Sequence, residues 1–192
     1  MKRILATIIA TLSIAGVSVA GPTAGTTEFS PVIAGNFPTG DMGDGGKAGV
    51  GFGGDFGYYA NEQVQIGAML RYNIFGVDDF TDTLLQGVNF DYTVTGFGAY
   101  AKILFGQSER TRAFVRGSFG AYTSKLTASV SNVSIAVDAT DFGFGSGVGV
   151  QFYGQGSMGG FVEVGATSVL TEGSSSNYFS VTGGLTIRLG GE

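Results

Sequence analysis

The stretch VQIGAMLRYNI, residues 64–74, decides the fold class because its apolar side chains recur at every second position. Its two sets of alternating residues are Val64, Ile66, Ala68, Leu70, Tyr72 and Ile74, against Gln65, Gly67, Met69, Arg71 and Asn73. Successive side chains of a β-strand point to opposite faces, so a period of two places each set on one face. The stretch therefore predicts a strand with one apolar face and one small or polar face.

The same alternation recurs along most of the chain, and no window of useful length shows a helical period. Two of the predicted strands change phase, after Thr95-Gly96 and between Ala139 and Phe142. A β-bulge, or a strand that leaves a membrane to enter a loop, would explain both changes. Eight strands are predicted, at residues 27–37, 48–60, 64–76, 87–105, 112–125, 135–153, 158–170 and 177–189.

The connections between these strands alternate in length. Short polar turns are expected at 61–63, 106–111 and 154–157, and longer links at 38–47, 77–86, 126–134 and 171–176. Short turns at one end and longer loops at the other are typical of up-and-down outer-membrane barrels. An even number of strands also returns the C-terminus to the end at which the N-terminus lies. The sequence predicts an all-β fold, an eight-stranded antiparallel up-and-down transmembrane barrel.

The first twenty residues read as a cleaved signal peptide. Lys2 and Arg3 precede an apolar stretch, and Ser18-Val19-Ala20 places small side chains before Gly21, as a signal peptidase site requires. A retained N-terminal anchor is the alternative, but the stretch is short for a bilayer span, which needs roughly 20 apolar residues. We expect residues 1–20 to be a leader and residues 21–192 to form one barrel domain.

Composition narrows the possible functions. Loss of Lys2 and Arg3 takes the basic residues from 10 to 8 against 15 acidic ones, and this balance argues against a nucleic-acid partner. The chain has no histidine and no cysteine, so Ser-His catalysis, zinc sites and disulfides are not expected. We predict no enzyme activity and no cofactor. Its 35 glycines are spread through the apolar segments, which suits a narrow barrel interior.

Alternation alone does not distinguish a membrane barrel from a soluble lipocalin-like calyx, whose apolar face points inward. The less apolar face here is rich in glycine and poor in lysine and glutamate, which makes an implausible water-exposed surface. Aromatic residues also cluster near strand ends, as the two interfacial girdles of a membrane barrel would. They are Phe29, Tyr58, Tyr59, Phe105, Phe152 and Tyr153 at the short-turn end, and Phe37, Phe75, Tyr122 and Phe179 at the long-loop end.

Leader, turns, loops and alternation together resemble the small outer-membrane β-barrel families, the OmpA- and OmpX-like and opacity-protein-like barrels. The sharpest local element is in the last strand, where Thr182, Gly184, Ile187 and Leu189 are similar to the families' C-terminal assembly signal. The chain departs from that signal by ending in Gly190-Gly191-Glu192 instead of an aromatic residue, and an ordinary amphipathic strand explains the same residues.

The resemblance implies a location in the outer membrane of a Gram-negative bacterium. It also implies contact with membrane lipid and lipopolysaccharide, and with the barrel assembly machinery during biogenesis. Roles in envelope integrity, adhesion or host contact are all compatible with it.

Charged residues of both signs fall on the predicted inner face. Charges in a narrow barrel are costly unless paired, so we expect a polar network that plugs the lumen. A narrow gated pore lined by the same side chains is the alternative. The predicted network comprises Asp55, Arg71, Lys102, Arg116, Asp141, Glu163 and Arg188.

Acidic residues gather in the longer links. Carboxylates near glycine can bind Ca²⁺ or Mg²⁺, but the spacing does not match an EF-hand loop, and a solvated loop is the simpler interpretation. These residues are Asp41, Asp44, Asp78, Asp79, Asp82, Asp138 and Glu172.

From the residues and the resemblance, we expect an outer-membrane anchor that displays four extracellular loops and acts in structure or in surface interaction. A narrow porin-like channel is the alternative, and a soluble ligand-binding calyx comes third.

Overall fold

The computed structural model describes most of the predicted barrel domain, and the predicted leader, residues 1–20, lies outside it. The described residues are 21–44, 46–77, 89–106, 108, 110–130, 133–154, 156–171 and 174–189.

Eight strands form one closed barrel in sequence order, and every neighbouring pair is antiparallel, including β1 with β8. The fold class predicted from the alternation is therefore confirmed. A 3₁₀ helix, Gly40–Asp44, follows the first strand. The strands are β1 (Thr27–Thr39), β2 (Gly46–Tyr59), β3 (Val64–Val77), β4 (Asn89–Phe105), β5 (Thr111–Val130), β6 (Val133–Tyr153), β7 (Met158–Thr171) and β8 (Ser174–Leu189).

The apolar face of each strand points outward. Ile33, Phe97, Val148 and Leu185, on four different strands, each expose half or more of their side chains. A continuous apolar surface around the whole barrel is unfavourable in water and favourable in the hydrocarbon core of a membrane. A soluble calyx would point this face inward, so the arrangement excludes that alternative.

Glycine makes room for large rings inside the barrel. The Tyr122 ring lies between Gly96 and Gly143, where an added Cβ would come within 2.6 and 2.7 Å of its carbon atoms. An eight-stranded barrel has an interior just wide enough for side chains, so a ring on one strand requires glycine on its neighbours. This relation explains why glycine is spread through the strands.

Of the two explanations offered for the changes of pattern in β4 and β6, the β-bulge is wrong. The register of β4 against β5 runs without a break from Asn89 to Phe105, and that of β5 against β6 runs from Val130/Val133 to Thr111/Phe152. The pattern changes because inward positions near the long-loop end hold apolar side chains such as Val94, which is fully buried. The register does shift between Gly46 and Gly49, where β2 meets β3.

The predicted long link at 126–134 is also wrong, because most of it is strand. β5 continues to Val130 and β6 begins at Val133, with these two residues paired. Thr127, Ala128 and Ser129 are small or polar on both faces, which suits a strand beyond the hydrocarbon-facing band.

Four aromatic residues predicted for the girdles lie inside the barrel instead. Tyr59, Phe75, Tyr122 and Tyr153 are buried, because each occupies an inward position of its strand. Other members of the predicted girdles do face outward and are exposed; they are Phe29, Phe37, Tyr58, Phe105 and Phe179.

Candidate functional site

We call the end of the barrel with the short turns at 60–63, 106–110 and 154–157 the turn end, and the opposite end the loop end. The candidate site is the interior between them. Inward-facing side chains fill it in three layers, because the strand alternation sends every second residue toward the barrel axis.

The central cluster consists of Asp55, Arg71, Arg116 and Glu163, from β2, β3, β5 and β7. Asp55 lies between the two guanidinium groups. Arg116 donates to both of its carboxylate oxygens, and Arg71 donates to Oδ2 and forms an ion pair with Oδ1. The Arg71 nitrogens lie 2.7 and 2.9 Å from these oxygens, and those of Arg116 lie 2.8 and 3.2 Å away. Glu163 completes the group, with Oε2 3.6 Å from Arg116 Nη1. Two cations and two carboxylates make the cluster neutral.

The lower cluster lies nearer the turn end and consists of Glu28, Tyr59, Gln65, Lys102 and Gln151. The Glu28 carboxylate accepts hydrogen bonds from Gln65 and Gln151, both at 3.1 Å, and from the Tyr59 hydroxyl at 3.3 Å. Lys102 Nζ donates to Gln151 Oε1 at 3.2 Å. All five side chains are almost completely buried. One carboxylate and one ammonium group make this cluster neutral too.

Lys102 has an unusual setting within the lower cluster. Its ammonium nitrogen lies 4.9 Å from the Phe114 ring centroid and 5.1 Å from that of Phe161. Ring faces attract a cation and compensate part of the hydration that the buried group has lost. The Lys102 ammonium group is therefore held by Gln151 and by two aromatic rings.

Two arginines tie the turns together at the mouth of the turn end. Arg112 donates to the carbonyl oxygens of Glu62, at 2.6 Å, and Ser108, at 3.3 Å, in two different turns. Arg188 donates to the carbonyl of Gly156 in the third turn. The two guanidinium groups also lie about 6 Å from the Tyr153 ring. These bonds fix the rim of the barrel at this end.

The aromatic layer fills the interior near the loop end. Phe75 packs against Tyr178 with ring centroids 5.4 Å apart, and Met42 of the 3₁₀ helix covers the layer. A cavity of about 50 Å³ lies between this layer and the central cluster. It is large enough for a few waters, since one water needs roughly 10–15 Å³ of such volume. The layer consists of Phe75, Val94, Tyr122, Val169 and Tyr178.

The structure divides the predicted lumen residues among different places. Asp55, Arg71, Arg116 and Glu163 meet in the central cluster, and Lys102 lies in the lower cluster. Arg188 lies at the turn-end mouth.

Asp141 belongs to neither cluster. It lies beside Tyr122 across the β5–β6 pair, near the loop end, and its buried Oδ2 has no hydrogen-bond partner among the described residues.

Sequence reasoning missed Glu28, Gln65, Gln151 and Arg112. Each occupies an inward position of a correctly predicted strand, so the alternation itself was the signal. Gln65 and Gln151 carry no charge, which is why a selection of charged residues left them out.

The residues of the predicted assembly signal take alternate faces of β8. Thr182 is buried, Leu189 is exposed, and a Cβ at Gly184 would overlap the Phe161 ring. Glycine at this position therefore has a packing reason. Recognition of Thr182, Gly184, Ile187 and Leu189 by assembly machinery stays a prediction.

The acidic residues of the loops are only partly described. Asp138 is exposed on β6. No group of three or more acidic residues in the described ranges could hold a metal ion. The side chains of Asp41 and Asp44 and the residues Asp78, Asp79, Asp82 and Glu172 lie outside the described part.

An apolar exterior around a neutral, filled interior defines this molecule as a small integral-membrane β-barrel. The sequence profile of the outer membrane protein beta-barrel domain matches residues 9–190, and the chain belongs to that family. No helix among the described residues is long and apolar enough to span a membrane. No curated protein matches the sequence.

Solved structures share the fold at low sequence identity. Neisserial surface protein A has a TM-score of 0.64 at 11% identity, over 85% of this chain and 97% of its own. Ail, the attachment invasion locus protein of Yersinia pestis, has a TM-score of 0.56 at 17% identity, over 87% and 100%. OprG of Pseudomonas aeruginosa has a TM-score of 0.55 at 11% identity, over 90% and 100%.

Proposed function

We propose that this protein is a bacterial outer-membrane anchor whose lumen is closed to solutes and whose loop end acts in structure or surface interaction. The observation that carries the proposal is the stack of two neutral clusters and an aromatic layer across the interior. A solute would have to displace all three in turn.

The cost of opening the stack supports a closed lumen. Removing one partner of a buried ion pair costs about 3–5 kcal/mol because the other charge remains buried. Asp55 is held by two arginines at once, so neither guanidinium can leave without such a cost. The lower cluster would impose a second barrier on the same path.

The related structures support the same location and leave the ligand open. Ail is named for attachment and invasion, and one of its crystal structures is a complex with the heparin analogue sucrose octasulfate. This chain is acidic overall, and Asp91 and Asp138 near its loop end would repel such an anion. We therefore carry over surface interaction as a role and not that ligand.

A narrow porin-like channel is the second candidate, and the cavity above the central cluster favours it. Arg71, Arg116 and Glu163 border this cavity, so it is a polar space beside charged groups. A pore would result if both clusters rearranged to join that space to the two ends of the barrel.

Single-channel recording in planar bilayers tests the two candidates against each other. We expect the wild-type protein to be silent. We expect a variant with both clusters and the aromatic layer truncated, Arg116→Ala with Lys102→Ala and Tyr122→Ala, to conduct. Discrete wild-type openings that vanish in Arg116→Lys would refute the closed lumen and support the channel. Heat-dependent gel mobility would first show that each protein is a folded barrel.

The location has its own test. Fractionation of bacterial envelopes on a density gradient should place the protein with lipopolysaccharide. Recovery in the inner membrane or the soluble fraction would refute the outer-membrane location.

A further inference from the structure

The outer wall of the barrel carries an apolar groove on the side formed by β2 to β6. Its volume is about 870 Å³, and small outward-facing residues form its floor. Ala68 of β3 is the register partner of Ala99 of β4. Ala101 of β4 is the partner of Gly117 of β5, which is in turn the partner of Ser146 of β6. The floor therefore runs without interruption across four neighbouring strands.

Large side chains border this floor. Val115 and Phe119 are the next outward residues on the two sides of Gly117, four residues and therefore about 13 Å apart. Phe56 of β2 is the partner of Ala68 and closes one end of the groove. A Cβ added at Gly117 would meet nothing within 4 Å, so the space above the floor is open. Carbon atoms pack at about 4 Å, and this width therefore admits one hydrocarbon chain in contact with both borders.

The groove lies in the hydrocarbon-facing band, in the half of the barrel nearer the turn end. Ala68 is four residues from the start of β3, and Ala101 is four residues from the end of β4. At roughly 3.3 Å per residue and the usual strand tilt, these residues lie about 10 Å from the turn end. One leaflet contributes roughly 15 Å of hydrocarbon, so lipid chains of the turn-end leaflet reach this level.

Two opposite charges lie at the foot of the groove. Glu62 lies in the turn that precedes β3, Arg110 lies in the turn that follows β4, and both residues are exposed. Arg112 holds these two turns together through the carbonyl oxygens of Glu62 and Ser108. A molecule that carries an ammonium group and a phosphate complements this pair of charges.

The groove is too small to be an interface with a second copy of the chain. From Phe56 on β2 to Ser146 on β6 there are four strand spacings of about 4.8 Å, so the groove covers roughly 19 by 13 Å, or about 250 Å². A stable interface buries about 800 Å² on each partner. The area therefore favours a narrow occupant, and the narrow apolar molecules of a membrane are lipid acyl chains.

We propose that the groove binds an acyl chain of a zwitterionic phospholipid from the turn-end leaflet. The lipid phosphate meets Arg110, and its ammonium group meets Glu62. Such a lipid is bound more tightly than lipids elsewhere on the wall, because it combines contacts of its chain with contacts of both headgroup charges. The inference rests on the membrane location of the barrel and does not depend on the closed lumen.

Fluorescence quenching by brominated lipids tests the proposal. The chain has no tryptophan, so one introduced tryptophan reports lipid contact at one place. Phe56→Trp places the reporter at the groove, and Leu185→Trp places it on β8 as a control; both native side chains expose about half of their surface. Each protein is refolded into phosphatidylcholine vesicles that contain a minor fraction of brominated phosphatidylethanolamine or, for reference, of brominated phosphatidylcholine. Heat-dependent gel mobility shows that each variant is a folded barrel.

We expect the reporter at the groove to prefer phosphatidylethanolamine by at least about fivefold, as one charged contact near a membrane surface provides. The control reporter should show no preference. Equal quenching by the two lipids at Phe56→Trp would overturn the proposal, and so would an equal preference at both reporters.

Two matched substitutions in the Phe56→Trp protein test the groove itself. Gly117→Leu fills the floor, whereas Gly183→Leu adds the same side chain on β8, where an added Cβ also meets nothing within 4 Å. The cross-strand partners of Gly183 are the larger Ile33 and Val162. We expect Gly117→Leu to reduce the preference to less than about twofold and Gly183→Leu to leave it unchanged. Equal effects of the two substitutions would refute binding in the groove.

The headgroup contacts have a test of their own. Glu62→Gln and Arg110→Gln should each lower the preference by about threefold or more, since each removes one charged contact. Tighter binding of brominated phosphatidylglycerol than of phosphatidylethanolamine would show a site for anionic lipid at Arg110 alone, and the zwitterionic assignment would be wrong.

Two further outcomes bear on the occupant and on the function. If quenching at Phe56→Trp falls as the ratio of protein to lipid rises, while quenching at Leu185→Trp does not, a second copy covers the groove and the lipid proposal is wrong. If no lipid preference is found while the wild-type protein stays silent in planar bilayers, the lipid site fails and the closed-lumen anchor stands.

Discussion

Neutralising Arg116 is the sharpest test of the central cluster. Arg116→Met keeps most of the side-chain volume and leaves Asp55 and Glu163 with Arg71 alone, so the cluster changes from neutral to a charge of −1. We expect a loss of about 3–5 kcal/mol in the free energy of unfolding, because a buried carboxylate loses its partner.

The pair of Arg116 and Glu163 allows this charge argument to be separated from packing. Their closest charged atoms are 3.6 Å apart, which corresponds to about 5 kcal/mol of attraction at an effective dielectric constant of roughly 20, before desolvation. Glu163→Gln alone should leave an excess positive charge, and the double variant Arg116→Met/Glu163→Gln restores neutrality. We expect a coupling of about 1–3 kcal/mol, so that the double variant is more stable than the sum of the two losses predicts.

Urea unfolding of the three variants in lipid vesicles measures this coupling. The chain has no tryptophan, so far-ultraviolet circular dichroism and heat-dependent gel mobility are the suitable signals. Strict additivity of the two losses would refute the charge-balance reasoning, because it would mean that each side chain acts through packing alone. A single variant as stable as wild type would refute it as well.

Three other predictions test the interior and the leader. Gly143→Val should lower the free energy of unfolding by about 1–3 kcal/mol because it displaces the Tyr122 ring. Gly117→Val, where an added Cβ meets nothing within 4 Å, should leave urea unfolding unchanged. Equal effects of the two variants would contradict the argument that glycine makes room for the ring. Glu28→Gln should lower stability by about 1.5–3 kcal/mol because it removes the charge from the acceptor of the Gln65, Gln151 and Tyr59 hydrogen bonds. Glu62→Gln in an exposed turn serves as the neutral control in the same unfolding assay. Intact mass measurement of the exported protein should give a chain that begins at Gly21, and a mass that includes Met1–Ala20 would refute cleavage of the leader.

The barrel could be predicted from the sequence because the alternation of apolar side chains is a property of each single strand. A strand in hydrocarbon must alternate, and the pattern is visible in stretches such as residues 64–74 without knowledge of any partner. The errors about which aromatic residues face the membrane and about the pattern in β4 arose where both faces of a strand are apolar. Val94 points inward to the aromatic layer although its neighbours in sequence suggested a phase change, because identity alone does not tell lipid from an apolar interior.

The interior could be predicted only in part, for a related reason. The inward position of Asp55 follows from the alternation, but its partner Arg116 is 61 residues away and three strands further along. The register and tilt of all the intervening strands determine which inward residues lie at the same level along the barrel axis. The contact between Glu28 and Gln151 shows the same limit, since these residues meet across the lumen.

The bond between Glu28 and Gln151 joins residues 123 positions apart, on β1 and β6, which are not neighbours in the wall. An open sheet that carried all seven hairpin pairings would still keep these two side chains apart. The bond can form only when β1 has met β8 along its seam from Thr27 to Thr39. The barrel wall closes and the interior hydrogen bonds form in the same step. A partly assembled sheet without the β1–β8 pairing therefore lacks the stability that these interior bonds give the closed barrel.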